Sequence, residues 1–164
     1  MKLHAILTAA LLPVLALGAD EVPFVVTPDN VTLAMLQVAK VNAEDYLIDL
    51  GSGDGRIVIL AAKRFSATGV GVEIDPELVA RSQRAARDAG VADRVQFRVE
   101  DLFTTDLSSA TVITMYLLPE FNLRLRPSLL ALKPGSQGIS AGRNSRLTAT
   151  VATLPATAAQ ARLR

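Results

Sequence analysis

Asp49-Leu50-Gly51-Ser52-Gly53-Asp54-Gly55 is the stretch whose residue types and spacing can do chemistry. Three glycines stand at alternate positions, with one carboxylate before them and another among them. Glycine has no Cβ and tolerates positive φ, so such a loop lets backbone N–H groups approach a ligand closely. A helix that follows the loop adds the partial positive charge of its N-terminus. A dinucleotide turn uses Gly-x-Gly-x-x-Gly to seat a pyrophosphate. Here the pattern is Gly-x-Gly-x-Gly, and Asp49 and Asp54 repel a pyrophosphate. They suit a ligand with an ammonium group and a sugar.

Other chemistry-bearing residues recur at regular distances. Glu73 lies 22 residues after Gly51 and is followed by Ile74. A carboxylate at that separation sits at the tip of the adjacent strand in a doubly wound sheet, where it accepts hydrogen bonds from ribose hydroxyls. This serves more than one ribose-bearing cofactor. Asp101-Leu102 and Tyr116-Leu117-Leu118-Pro119 follow two later apolar stretches. An aromatic ring such as that of Tyr116 can face a cation.

The elements that must position these residues are legible as βα units. Asp45 to Leu50 reads as a buried strand, and Ile57 to Lys63 continues the glycine loop as a buried helix. Thr68 to Glu73 is a second strand. Asp75-Pro76-Glu77 caps and starts a helix whose inner face is Leu78, Val79, Ser82, Ala85, Ala86 and Ala89, with Gly90 as its stop. Arg81, Arg84 and Arg87 form a solvated row on it. Val95 to Val99 is a third strand, and Ala110 to Tyr116 a fourth. Pro119 starts a helix through Leu132. Before the first strand, Thr27 as N-cap, Pro28 and Asp29 open a helix with Val31, Ala34, Met35 and Val38 on one face. The fold class is α/β, a doubly wound, mostly parallel Rossmann-like sheet.

Composition narrows the chemistry. With 164 residues, half of them apolar, one domain with a sizeable core is expected. Net charge is +1, so bulk electrostatics gives no case for a nucleic-acid partner. There is no cysteine, which excludes disulfides, thiolate metal sites and a thiol nucleophile. The one histidine, His4, precedes the domain, so Ser-His and His-metal catalysis are not expected.

Asp49, Gly51, Gly53 and Gly55 together resemble motif I of the class I S-adenosylmethionine methyltransferases, Asp/Glu-x-Gly-x-Gly-x-Gly. Thr27-Pro28, Asp49 to Ile57 and Tyr116-Leu117-Leu118-Pro119 resemble, more narrowly, the small protein-lysine methyltransferases that act on mitochondrial inner-membrane proteins, and their bacterial relatives. The resemblance implies a transferase that uses S-adenosylmethionine to methylate a nitrogen, above all a protein lysine. It implies cofactor contacts at Asp49, Gly51, Ser52, Gly53, Glu73, Ile74, Asp101 and Leu102. Asp49 then serves the methionine end, Glu73 the ribose, and Asp101 with the Leu102 amide the adenine. Tyr116 and Pro119 shape the loop facing the transferable methyl. A nicotinamide oxidoreductase explains Glu73 but not the glycine spacing, and no Tyr-x-x-x-Lys is present. A non-catalytic domain that keeps the cofactor fold is the alternative.

The two ends depart from that pattern. Residues 1–19 combine Lys2, an apolar run from Ala5 to Leu17, and the small residues Gly18 and Ala19. This reads as a signal peptide or N-terminal anchor, implying an exported, periplasmic or membrane-held protein and a possible membrane association. The domain is expected over 20–134. After Gly135 there are four arginines but no acid and no aromatic residue. Gln137 to Ser140 reads as a poor strand with no antiparallel hairpin after it. Residues 135–164 are thus expected to be an atypical, poorly ordered tail, truncated or frame-changed relative to the family.

Overall fold

The computed structural model describes residues 26–141 and 149–153. The expected leader at 1–19 lies outside the described residues, as does much of the expected tail.

The order of elements is α1 (Asp29–Val38), β1 (Tyr46–Leu50), α2 (Arg56–Phe65), β2 (Thr68–Glu73), α3 (Pro76–Asp88), β3 (Val95–Val99), β4 (Val112–Met115), α4 (Pro119–Leu130), β5 (Gln137–Ala141) and β6 (Ala149–Thr153). The strands form one sheet in the order β3-β2-β1-β4-β5-β6. All neighbours are parallel except β5 and β6. The order reverses between β1 and β4, which makes the crevice beyond their carboxyl ends the natural ligand site of such a sheet.

Strand alternation sorts the core into two layers. Leu47, Val112 and Ile139 pack with α1, α2 and α3 on one face. Ile48, Leu50, Val70, Val72, Ile113 and Met115 pack with Leu125 of α4 on the other. Leu47, Ile48 and Leu50 are at most 1% exposed, each contributing roughly 1.5–3 kcal/mol through burial. Asp49 sits among them, also 1% exposed. Alternation aims it at the α1–α2 face, beneath the glycine loop.

The helix starts obey local rules. Asp75 Oδ1 accepts from the Glu77 N–H at 2.8 Å, with Pro76 in the first turn. Pro119 likewise occupies the first turn of α4. The arginine row on α3 is exposed, as expected.

Several expectations are corrected. Thr27 is not the cap of α1: Pro28 takes that position with no side-chain cap, and the Thr27 carbonyl accepts from Arg56 Nη1 at 3.0 Å. The buried face of α1 is Thr32, Met35, Leu36 and Ala39, while Val38 is 54% exposed. Turning the helix this way buries Leu36, the larger side chain, and Thr32 Oγ1 donates to the Pro28 carbonyl at 3.3 Å. β4 ends at Met115, so Tyr116 stands in the loop, and α4 ends at Leu130.

The poor strand at Gln137–Ser140 is strand β5, parallel to β4, with Ile139 fully buried. The Gln137 N–H donates to the Thr111 carbonyl at 2.8 Å, and Ser136 Oγ to the Ala110 carbonyl at 3.1 Å. β6 pairs antiparallel with β5 from Gln137↔Thr153 to Ala141↔Ala149, where no hairpin was expected. One buried isoleucine suffices here because β5 is paired along its backbone on both sides, with β4 and with β6. Among the described residues no helix is long and apolar enough to cross a membrane.

Candidate functional site

The tips of β1, β2, β3 and β4 carry Gly51, Glu73, Asp101 and Tyr116 to one edge of the sheet. The loop between β1 and α2 is anchored from beneath. The N–H groups of Gly51 and Ser52 both donate to the Val72 carbonyl, at 3.0 and 2.9 Å. Gly51, Gly53 and Gly55 have φ of +72°, +55° and +79°, a backbone that L side chains rarely adopt. A Cβ on Gly55 would meet the Phe97 ring at 2.6 Å and Ser82 Cβ at 2.8 Å. A Cβ on Gly51 would meet Leu117 Cδ2 at 2.9 Å and Leu102 Cδ2 at 3.8 Å. The glycine loop, the loop after β3 and the loop after β4 therefore converge at Gly51.

Glu73 ties the second strand tip to that loop. Its Oε2 accepts from the Gly53 N–H at 3.0 Å, and its Oε1 from the Ile74 and Asp75 N–H groups at 2.8 and 3.2 Å. The carboxylate is partly exposed and has capacity for further donors.

Asp49 is the most unusual group. Its Oδ1 accepts from Thr114 Oγ1 at 2.6 Å, across the β1–β4 register that pairs these two residues. Its Oδ2 is buried without a partner, and so is Ser52 Oγ. Burial pushes the Asp49 carboxyl up to about 7; the Thr114 hydrogen bond opposes this, while Glu73 and Asp54 add to it. A buried carboxylate oxygen with no donor is costly unless a ligand supplies one. Ammonium is such a donor.

Asp54 is neutralised locally. Burial alone would raise its pKa, but the hydrogen bonds and charge of Arg56 outweigh burial and hold the carboxyl below its usual range. Arg56 Nη2 and Nε reach the two Asp54 oxygens at 2.7 and 2.9 Å, and Nη1 reaches Asp29 at 3.1 Å. Asp54 thus locks the start of α2 to α1 and is spent as a ligand group.

The remaining expected residues are placed less tightly. Leu102 is partly buried and packs on the second core layer beside Gly51. Asp101 is exposed, and its Oδ1 accepts from the Phe103 N–H at 2.8 Å. That bond fixes the turn and leaves the second oxygen for a ligand. Ile74 is 71% exposed beside Glu73. Tyr116 is partly buried against the first core layer. Pro119 is exposed and acts through the backbone, as the first residue of α4. Sequence reasoning put Thr114 in the fourth strand and Ser82 on the inner face of α3 but gave neither a part in the site; Ser82 Oγ donates to the Gly53 carbonyl at 3.0 Å. Only strand register and helix docking bring them in, so no linear motif marks them. A groove lined by Gln83, Arg87, Gln96 and Arg98 runs between α3 and β3 and includes none of the loop residues. Among the described residues no cluster of acids or histidines can hold a metal ion.

The family model for the ANTKMT methyltransferase domain matches residues 49–142, from the motif acid through β5. The chain belongs to the ANTKMT methyltransferase family. A protein-lysine N-methyltransferase of Saccharolobus islandicus (strain REY15A) is 44% identical over 122 residues, 73% of this chain and 76% of that protein. The adenine nucleotide translocase lysine N-methyltransferase of Mus musculus is 32% identical over 97 residues, covering 59% of this chain and 44% of that protein. The match thus spans less than half of that longer relative. A crystal structure described as an RNA methyltransferase from Salinibacter ruber, in complex with S-adenosyl-L-homocysteine, has 52% identity and a TM-score of 0.71. The match covers 76% of this chain and 82% of that one. The mostly parallel sheet of this family member is accordingly a Rossmann-like methyltransferase sheet.

Proposed function

We propose that the chain binds S-adenosylmethionine in the crevice at Gly51 and methylates a lysine amine of a protein. The observation that carries the cofactor is the buried, unpartnered Oδ2 of Asp49 under a glycine loop whose neighbour, Glu73, keeps accepting capacity. These residues fit the group: an orphaned acceptor for its ammonium, a carboxylate for its ribose, and at Gly51 a backbone of φ +72° that disfavours any side chain. The names of the Saccharolobus and mouse relatives support the lysine acceptor.

When bound, S-adenosylmethionine supplies a methyl activated by its sulfonium, and the sulfur keeps the bonding pair. The chain's own residues orient and desolvate. Asp49 holds the methionine end. Gly51, Ser52 and Gly53 let the backbone lie against it, and Glu73 with Ile74 holds the ribose. Asp101 and the Leu102 amide hold the adenine. Tyr116 faces the transferable group, and Pro119 fixes that loop. The acceptor amine must arrive neutral or lose its proton to a carboxylate or to water, since His4 is the one histidine. Positioning and exclusion of water then carry most of the rate.

The test is methyl transfer from labelled S-adenosylmethionine by the full chain, offered soluble proteins, membrane-extracted proteins and RNA in parallel. Label on lysine, located by mass spectrometry, supports the reading. Label on RNA alone would replace the acceptor and favour the function named for the Salinibacter structure. Cofactor binding with no transfer to any acceptor would favour the non-catalytic alternative. The reading takes residues 1–19 as the segment that exports or anchors the chain. Recovery of the chain in washed membranes, lost on deleting that segment, supports an anchor.

A further inference from the structure

We propose that Thr114 is a positioning residue for the cofactor: its hydroxyl fixes the Asp49 carboxylate and decides whether it meets the cofactor's ammonium as an anion. This rests on the cofactor reading above.

The geometry is specific. Asp49 and Thr114 are direct partners in the β1–β4 register, and both are at most 1% exposed. Thr114 Oγ1 donates to Asp49 Oδ1 at 2.6 Å, the short distance expected for a hydroxyl bonded to a carboxylate. That bond occupies one oxygen and leaves the other, Oδ2, as the free acceptor beneath the loop. Thr114 therefore chooses the oxygen that a ligand meets. Valine has the same shape, and a purely structural role for a buried position in a parallel strand would suit it better. The buried hydroxyl is explained by its acceptor.

The carboxylates near Asp49 oppose its ionisation, and the hydrogen bond from Thr114 favours it. Glu73 faces it from the tip of β2, and Asp54 from the loop. Arg56, at the start of α2, is bonded to Asp54 and Asp29 and does not serve Asp49. On the β4 side the polar neighbour is Thr114, with Tyr116 two residues further on. Burial pushes the Asp49 carboxyl up to about 7, and the Thr114 hydrogen bond is the contribution that opposes this rise. Without the Thr114 bond the midpoint moves up, by about one pH unit for a single hydrogen bond to a carboxylate.

The experiment uses the full chain as wild type, Thr114→Val, Thr114→Ala and Thr114→Ser. Calorimetry gives the S-adenosylmethionine Kd from pH 5.5 to 8.5, and carbon NMR follows the Asp49 carboxyl in the free protein. In the wild type, affinity weakens as pH falls through the Asp49 midpoint. In Thr114→Val and Thr114→Ala this acid limb moves up by about one unit, so binding at pH 6 is about tenfold weaker. Any alkaline limb, set by the ligand's own amine, stays where it is. Thr114→Ser restores the wild-type limb. Wild-type binding with a Thr114→Val or Thr114→Ala limb that superimposes on it overturns the proposal alone, as does a serine variant that behaves like valine. No binding by folded wild type at any pH overturns the cofactor reading and this proposal with it. The NMR titration in the free chain then tells whether Thr114 governs the Asp49 charge at all.

Discussion

Replacing Glu73 by alanine should damage the site in two separable ways. The first is structural. Three N–H groups, of Gly53, Ile74 and Asp75, lose their carboxylate acceptor, at present 2.8 to 3.2 Å away. A hydrogen bond in a partly exposed place contributes roughly 0.5–1 kcal/mol net, and freed amides at the rim turn to water. The loss should total about 1–2 kcal/mol. In a domain of this size that lowers Tm by about 2–8 °C. The second effect is on the ligand. With three amides already on it, the Glu73 carboxylate has about one acceptor site left for a ribose hydroxyl; losing that charge-assisted bond costs about 1.5–3 kcal/mol, or roughly 10–100-fold in Kd. Glu73→Gln separates the effects: it keeps one acceptor oxygen, so Tm should fall by less than half as much while affinity still drops about tenfold. The assays are a thermal melt without ligand and calorimetric titration of S-adenosylmethionine with it. A folded Glu73→Ala chain with wild-type affinity would refute the ribose assignment. A normal melt with lost affinity would instead show that the three amides contribute no stability.

Two further outcomes follow from the same loop. Gly55→Ala combines a φ of +79° with a Cβ driven into Phe97 and Ser82 at 2.6 and 2.8 Å. It should cost about 2–4 kcal/mol in urea unfolding, and a loss under about 1 kcal/mol would mean the loop relaxes freely. Asp49→Asn should stabilise the free protein at alkaline pH and weaken cofactor binding. The folded carboxyl is raised from 3.8 to about 7, so the folded state holds a proton that the unfolded state has released between those values. Stability therefore falls as pH rises through that window, by at most about 4 kcal/mol, and asparagine removes the fall. Melts at pH 4 and pH 8 test this: equal wild-type and variant curves at pH 8 would show that Asp49 is not buried as an acid.

The βα units were legible because each strand tip carries its own punctuation. Gly51 to Gly55, Asp75-Pro76 and Leu118-Pro119 mark turns and helix starts through local backbone chemistry, which sequence displays directly. What sequence hid was relational. Val38 and Leu36 are equally apolar, and only packing against α2 and the sheet decides which is buried. Thr114 looks like an ordinary β-branched strand residue until register sets it against Asp49. The fifth strand was legible only as a poor one, and the sixth was not expected, for a third reason. Gln137 to Ala141 carries one large apolar residue, and most of what holds it is backbone pairing with β4 and β6, which leaves little trace in composition.

The same relational logic explains why the site contains a group that opposes folding. A sheet centre lined by Leu47, Ile48, Leu50 and Ile113 has no energetic use for a carboxylate, and Asp49 there opposes folding at any pH where it is charged. Asp54, on the loop after β1, is neutralised by Arg56, which also pairs with Asp29 and so ties α2 to α1. One aspartate on the loop and one in the strand beneath it therefore have opposite consequences: Asp54 is paired within the protein, and Asp49 is held half-paired by Thr114. Only the second retains a buried acceptor that folding itself does not satisfy, and an unmet acceptor is what a cationic ligand can complete. The stabilisation that Asp49 withholds from the free protein becomes available as differential affinity when a cation arrives, and binding should raise stability most above pH 7, where the unpaired charge costs most.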